Sequence, residues 1–231
     1  MIDELKKDLE KLSLPEKKEI HQRFFKTGKG EYGEGDIFLG LTMPQTREIC
    51  KKYKNLNLKE LQKLLDSKIH EHRMCSLLIL NNKFKKTDNK EKEKIFNLYM
   101  KNYKNINNWD LVDLSAPKIP GEWLIDKNKK ILYEFAKSNH LWKKRIAVLS
   151  TFAFIRKNQF KDAINIFEIL LNDKHDLIHK AVGWMLREIG KRNQETEERF
   201  LKKYHKTMPR TMLRYSIERF EEKKRQFYLK K

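Results

Sequence analysis

The chain has 231 residues and a formal net charge of +20, from 52 Lys and Arg against 32 Asp and Glu. That length accommodates one large domain or two small ones. The charge points to a polyanionic partner, nucleic acid first, although 40 lysines against 12 arginines is also the bias that an A+T-rich genome leaves. Two cysteines exclude a disulfide-stapled scaffold, and no apolar run reaches the length of a membrane span.

The opening MIDELKKDLEKL carries Ile2, Leu5, Leu9 and Leu12 at helical steps and lacks the apolar core of a signal peptide. A soluble, cytoplasmic protein is expected, associated with the nucleoid only through DNA. A second helix is predicted at about 15–26, with Pro15 in its first turn and Ile20, Phe24 and Phe25 along it. Five of the eight glycines then fall in GKGEYGEGDIFLG, residues 28–40. Gly28, Gly30 and Gly33 formally match a dinucleotide fingerprint. The match is rejected because a helix precedes it and none begins within it. The glycine-rich stretch at about 28–36 is expected to be an irregular connector, with an approach of its glycines to a phosphate backbone as the alternative.

A third helix begins after Thr42, where Thr42 and Gln45 have capping-box spacing and Pro44 lies in the first turn. Further helices are predicted at about 58–67, 70–84, 89–103, 108–116, 127–138, 141–157, 160–171, 175–191, 194–206 and 210–227. Their connections are short, and no segment alternates with period two. Cys50 and Cys75 read as lone, small core residues in a reducing compartment. His70, Glu71 and His72 do not have the order of a zinc-protease helix, and the other histidines are scattered, so neither metal nor cofactor is expected.

Four positions recur along this helical chain. Arg73, Trp109, Arg145 and Lys180 are separated by 36, 36 and 35 residues, and one turn further on come Leu77, Asp113, Leu149 and Trp184. Such a period is what stacked helical hairpins leave in a sequence. The expected fold is therefore all-α, an α-α superhelix (solenoid) forming one continuous domain over residues 1–231. Equivalent positions in stacked repeats line one surface, which would gather Trp109, Asp113, Arg145, Lys180 and Trp184.

Trp109 and Asp113, four apart, share one face of a helix from which Leu111 and Leu114 point away. The plain reading is a core aromatic and a solvated carboxylate; the functional one is a site. Lys143, Lys144 and Arg145 put three cations in the first turn of an apolar helix, against the macrodipole, which suggests an external anion. The planar fork of Arg145 suits a phosphate. Lys180, Trp184, Arg187 and Lys191 follow one another on a single helix face. Gly183 on the same helix costs about 1 kcal/mol relative to Ala, which implies close approach by a backbone, from a neighbouring helix or from DNA. Arg210 and Arg214 share a face near the C-terminus, as a continuation of a basic track or as solvated charge.

NNWDLVDLSAP (107–117), LWKKRIAVLSTF (141–152), LIHKAVGWMLREIGK (177–191) and FLGLTMPQTRE (38–48) together resemble the AlkD-like DNA alkylation repair glycosylases, which are built from HEAT-like repeats. The resemblance spans essentially the whole chain. It implies that Trp109 and Trp184 are the aromatic walls of a lesion site and Asp113 its catalytic carboxylate. It further implies that Arg145 holds the DNA backbone beside the lesion and Arg187 contacts phosphate. Lys144, Lys180, Lys191, Arg73, Arg210 and Arg214 complete the expected DNA-binding set. Two departures bear on substrate range: the longer glycine-rich loop, and Asn108, where relatives often carry a second Trp.

The implied activity is hydrolysis of the N-glycosidic bond of N3- or N7-alkylated purines in duplex DNA by a monomeric, monofunctional glycosylase. The alternative is a non-catalytic repeat protein that binds damaged or branched DNA. A protein-interaction scaffold is a third class that helical repeats often serve.

Overall fold

In a computed structural model the chain is mostly helical, and residues 1–230 are described. The expected all-α class holds: among the described residues there is no strand, only one parallel bridge between Ile37 and Ile69. The chain divides into two compact units, Met1–Ser115 and the remainder from Ala116 onward.

The first unit contains α1 (Ile2–Lys11), α2 (Pro15–Phe24), α3 (Met43–Lys52), α4 (Leu58–Leu65), α5 (His70–Lys86), α6 (Asn89–Lys101) and α7 (Trp109–Ser115). Local chemistry sets several starts. Gln45 accepts the Thr42 N–H at 2.9 Å, the reciprocal arm of the expected capping box. Asn57 and Glu60 form a second box, with bonds of 2.9 and 3.0 Å. Helix α5 is the unit's axis, buried from His70 through Asn81 with α3, α4 and α7 packed on it. A helix covered on all sides shows no single apolar stripe.

Four polar residues lead into that buried helix, so their partners must be internal. The Glu71 carboxylate accepts the N–H groups of Leu39 and Gly40 at 2.9 Å each and that of Leu41 at 3.3 Å. Arg73 donates to Asp36 at 2.6 Å and to the Ser67 carbonyl at 2.7 Å. His72 Nδ1 lies 2.9 Å from Ser67 Oγ. The glycine-rich connector is thus fastened to the start of α5. Within it Gly33 has no room for a side chain, because a Cβ would meet the Phe25 carbonyl at 2.7 Å.

The second unit contains a π-turn (Pro117–Gly121), α8 (Glu122–Leu124), α9 (Lys130–Ala136), α10 (Leu141–Arg156), α11 (Lys161–Ile169), α12 (Asp176–Gly190), α13 (Gln194–Tyr204), α14 (Arg210–Ser216), a 3-10 turn (Ile217–Arg219) and α15 (Glu222–Leu229). Apolar α10 and α12 form its centre. Gly183 admits a neighbouring helix: a Cβ there would collide with the Met212 carbonyl and meet Tyr215 Cβ at 2.6 Å.

Two expectations need correction, and one helix is followed by a turn that was not expected. The helix expected at about 108–116 is α7, which ends at Ser115 ahead of Pro117 and Pro120, residues with no N–H to continue the ladder. The chain winds through a π-turn instead, closed by Gly121 N–H to Ala116 carbonyl at 2.9 Å. The single helix expected at 210–227 is broken by extended backbone at Phe220, and Ser216 Oγ donates to the Leu213 carbonyl at 2.7 Å in its last turn. Finally, the two buried cysteines are not separate: Cys50 and Cys75 are free thiols facing each other with sulfurs 2.8 Å apart.

Candidate functional site

Helix α7 has only seven residues, too few to hold a helix by propensity. Its orientation is therefore imposed by packing. Leu111, Val112 and Ser115 are buried, whereas Trp109, Asp110 and Asp113 are half-buried. Trp109 and Asp113 do lie one turn apart on a stripe outside the core. Behind them Ser115 Oγ donates to the Leu111 carbonyl at 2.5 Å and lies 2.9 Å from Tyr99 Oη. Complete burial, aided by the Asp113 charge, pushes the Tyr99 phenol well above its usual range.

The Trp109 ring stacks on Phe25, with centroids 5.3 Å apart and planes 23° apart. Phe25 stacks in turn on Phe38 at 4.9 Å, and Phe38 on His70 at 4.4 Å. Phe24 meets Trp109 edge-on at 5.8 Å while remaining 61% exposed. Sequence reasoning placed Phe24 and Phe25 on an ordinary apolar stripe. The missed signal is that consecutive helix residues point about 100° apart, so both rings could not enter one core.

Under this stack lies a buried polar chain. His70 Nε2 is 2.8 Å from Asp110 Oδ2, and His70 Nδ1 is 3.8 Å from Asp36 Oδ2. The same Asp36 oxygen receives Arg73, and Asn107 donates to its other oxygen at 3.0 Å. Burial opposes a charge on His70, but the Asp110 charge and hydrogen bond, with Asp36, outweigh it and raise the imidazole pKa. Burial lowers the pKa of Arg73, with Asp36 opposing. Burial also drives His72, two residues on, the other way, to about 4. A cavity of about 210 Å³ in this unit is lined by Phe24, Phe25, Phe38, His70 and Asp110 among others.

Arg73 departs from its expected place in a DNA-binding set. It is 3% exposed, and its guanidinium is taken up by Asp36 and Ser67. The repeat register located the residue correctly on its helix, but a buried helix start turns that position inward.

In the second unit Arg145 is buried on α10 and donates to the Leu177 carbonyl at 2.5 Å. Lys144 pairs with Asp173 at 2.5 Å, and Lys180 with Asp176 at 2.6 Å. Trp184, half-buried, donates through Nε1 to Glu188 at 3.3 Å and lies 6.1 Å from the ring of Phe152. Arg187 pairs with Glu218, and Lys191 with Glu188 at 2.5 Å. Lys180, Trp184 and Arg187 therefore share the uncovered stripe of α12, with Lys191 at its end. Arg210 is exposed and donates to the Leu229 carbonyl at 3.1 Å; Arg214 is exposed. Most of these cations already balance an acid of this chain, so phosphates must compete for them. A larger groove of about 380 Å³, lined by Phe160, Ile164, Phe200 and Tyr204, contains none of the expected site residues. Among the described residues no cluster of His, Cys, Asp or Glu is arranged to hold a metal ion, and no helix is long and apolar enough to cross a membrane.

The family model for DNA alkylation repair enzymes matches residues 5–220. The chain belongs to that family. Membership brings a role in DNA repair and DNA as the substrate. A predicted DNA alkylation repair enzyme from Enterococcus faecalis has a similar fold, with a TM-score of 0.70 at 15% identity over 91% of this chain and 97% of that one. The smu.31 protein of Streptococcus mutans UA159 aligns with a TM-score of 0.52 at 21% identity, over 75% of this chain and 89% of that one. At such identities the two structures speak to fold alone. No curated protein matches the sequence.

Proposed function

We propose that the protein is a monofunctional DNA glycosylase that hydrolyses the N-glycosidic bond of N3- and N7-alkylated purines in duplex DNA. One observation carries this reading: a carboxylate, Asp113, stands one turn from Trp109 on the outer stripe of a short helix whose other side is fixed in the core.

The chemistry suits those groups. Alkylation at N3 or N7 makes the purine cationic, so it leaves as a neutral base and needs no general acid. The sugar becomes oxocarbenium-like as the bond breaks. A carboxylate beside that developing charge lowers the barrier and can orient the attacking water. Asp113 has this role. Trp109 and Trp184 contact the lesion and sugar and exclude water, with a cation–π attraction of roughly 0.5–2 kcal/mol for the cationic nucleotide. Arg145, buried and bonded to the Leu177 carbonyl, holds the backbone beside the lesion only by turning outward from that bond. Lys144, Lys180, Arg187, Lys191, Arg210 and Arg214 supply phosphate contacts that give affinity without reading sequence.

The test is base release from duplex DNA methylated at N3 of adenine and N7 of guanine. Free methylated base and a matching number of abasic sites are the expected products. Tight duplex binding with no base released would instead establish a non-catalytic DNA-binding repeat protein.

A further inference from the structure

We propose that His70 is a positioning residue for base release: bonded to Asp110 and facing Asp36 across 3.8 Å, it fixes the first turn of α7 and through it the place of the Asp113 carboxylate. This inference rests on the glycosylase reading above.

Helix α7 is held at its far end by Ser115 Oγ, 2.9 Å from Tyr99 Oη, and by the Leu114 carbonyl, which accepts Asn81 Nδ2 at 3.3 Å; its other polar contacts come from its first turn and the residues just before it. Asn108 Oδ1 accepts the Trp109 N–H at 2.9 Å, while Asn108 Nδ2 reaches the Phe25 carbonyl at 3.3 Å. Asn107 is tied to Asp36. Asp110 uses Oδ1 for the Leu111 N–H at 2.8 Å and Oδ2 for His70. Of these contacts only the last joins α7 side chain to side chain with the buried axis of the unit. His70 is 3% exposed, and its ring lies against Phe38 and Phe25, the ring on which Trp109 rests. One imidazole therefore supports both the carboxylate at the start of α7 and the aromatic stack beneath its tryptophan. Asp113 is three residues from Asp110 on a rigid single turn, so a rotation of the helix start displaces the catalytic oxygen directly. A displacement of about 1 Å at a reacting group costs up to a hundredfold in rate.

The charged and titratable groups facing His70 are Asp110 on α7, Asp36 on the connector, Arg73 and Glu71 on α5, and His21 on α2. Asp110 within hydrogen-bond reach and Asp36 at 3.8 Å favour the imidazolium, which attracts Asp110 more strongly than a neutral ring. The contact should therefore loosen as pH rises through the elevated pKa of His70.

Four proteins test this: the parent, His70→Gln, Asp110→Asn and, as a control on the same helix, His72→Gln. Single-turnover release from methylated duplex, duplex Kd and the imidazole NMR titrations are read for each. His70→Gln and Asp110→Asn should slow release by about tenfold or more while Kd stays within about twofold. Both should lose the parent's fall in rate with rising pH, and Asp110→Asn should lower the titration midpoint of His70. His72→Gln should release at the parent rate. An active parent whose His70→Gln and Asp110→Asn variants keep its rate and pH profile overturns this inference alone. So do variants whose rate, Kd and folding fail together, since that marks a purely structural histidine. A parent that releases no base overturns the glycosylase reading and this inference with it.

Discussion

Trp109 lies nearly parallel to Phe25, their ring centres 5.3 Å apart, so the aromatic wall proposed for the lesion is itself supported by a second aromatic ring. Stacked pairs contribute about 0.5–1.5 kcal/mol beyond the area they bury. Phe25→Leu keeps most of the volume and removes the stack. It should lower stability by about 1 kcal/mol in a urea titration and slow base release by more than that loss predicts, because Trp109 loses its orientation. Parent-like release would show that the wall does not depend on its support.

Arg73 should behave as a structural residue. Arg73→Ala leaves Asp36 buried without its guanidinium and should destabilise the first unit by about 3–5 kcal/mol. The salt dependence of duplex binding should not change, because a residue buried against Asp36 releases no counterion from DNA. Lys180→Ala should do the opposite, leaving stability nearly unaltered and reducing the slope of log K against log salt by about 0.9.

Most of the fold was legible in the sequence because it lies in helical periodicity, which the chain displays from Ile2 onward. The 36, 36 and 35-residue spacing correctly marked positions in α5, α7, α10 and α12. What periodicity does not carry is direction. Arg73 and Arg145 both turned out buried, since the helices bearing them are covered on several sides. Nor does periodicity show contacts between segments distant in the chain. The link from Asp36 through His70 to Asp110 joins a connector, a buried helix and a surface turn, and each residue alone reads as unremarkable polar chemistry.

Glu197 makes stability depend on pH. It is buried with Oε1 lacking a partner, and burial, with the neighbouring Glu198 charge, pushes its pKa up to about 8. Between its unfolded value near 4.5 and 8, the unfolded chain ionises there while the folded one stays protonated. Stability therefore falls as pH rises through this window, by up to about 1.4 kcal/mol per pH unit, and levels off above it. Glu197→Gln should remove this slope from thermal melts collected between pH 5 and 8. An unchanged slope would mean that Glu197 ionises normally in the folded protein.

Gly183→Ala should destabilise the protein even though Ala is the better helix former by about 1 kcal/mol. The added methyl meets the Met212 carbonyl and Tyr215, both on α14, so α12 and α14 must separate. Overpacking of this kind costs about 1–3 kcal/mol, which exceeds the propensity gain. A melting temperature above the parent's would show that the two helices yield easily.

The central claim is that Asp113 stabilises the oxocarbenium-like sugar as the base departs. The most direct measurement is single-turnover release of N3-methyladenine and N7-methylguanine from duplex DNA by the parent and Asp113→Asn, with duplex Kd measured for both. Loss of one preorganised electrostatic contact to a transition state costs about 10²–10³ in rate. Release should therefore fall by at least that factor while Kd changes little. Release by Asp113→Asn at the parent rate would contradict the account.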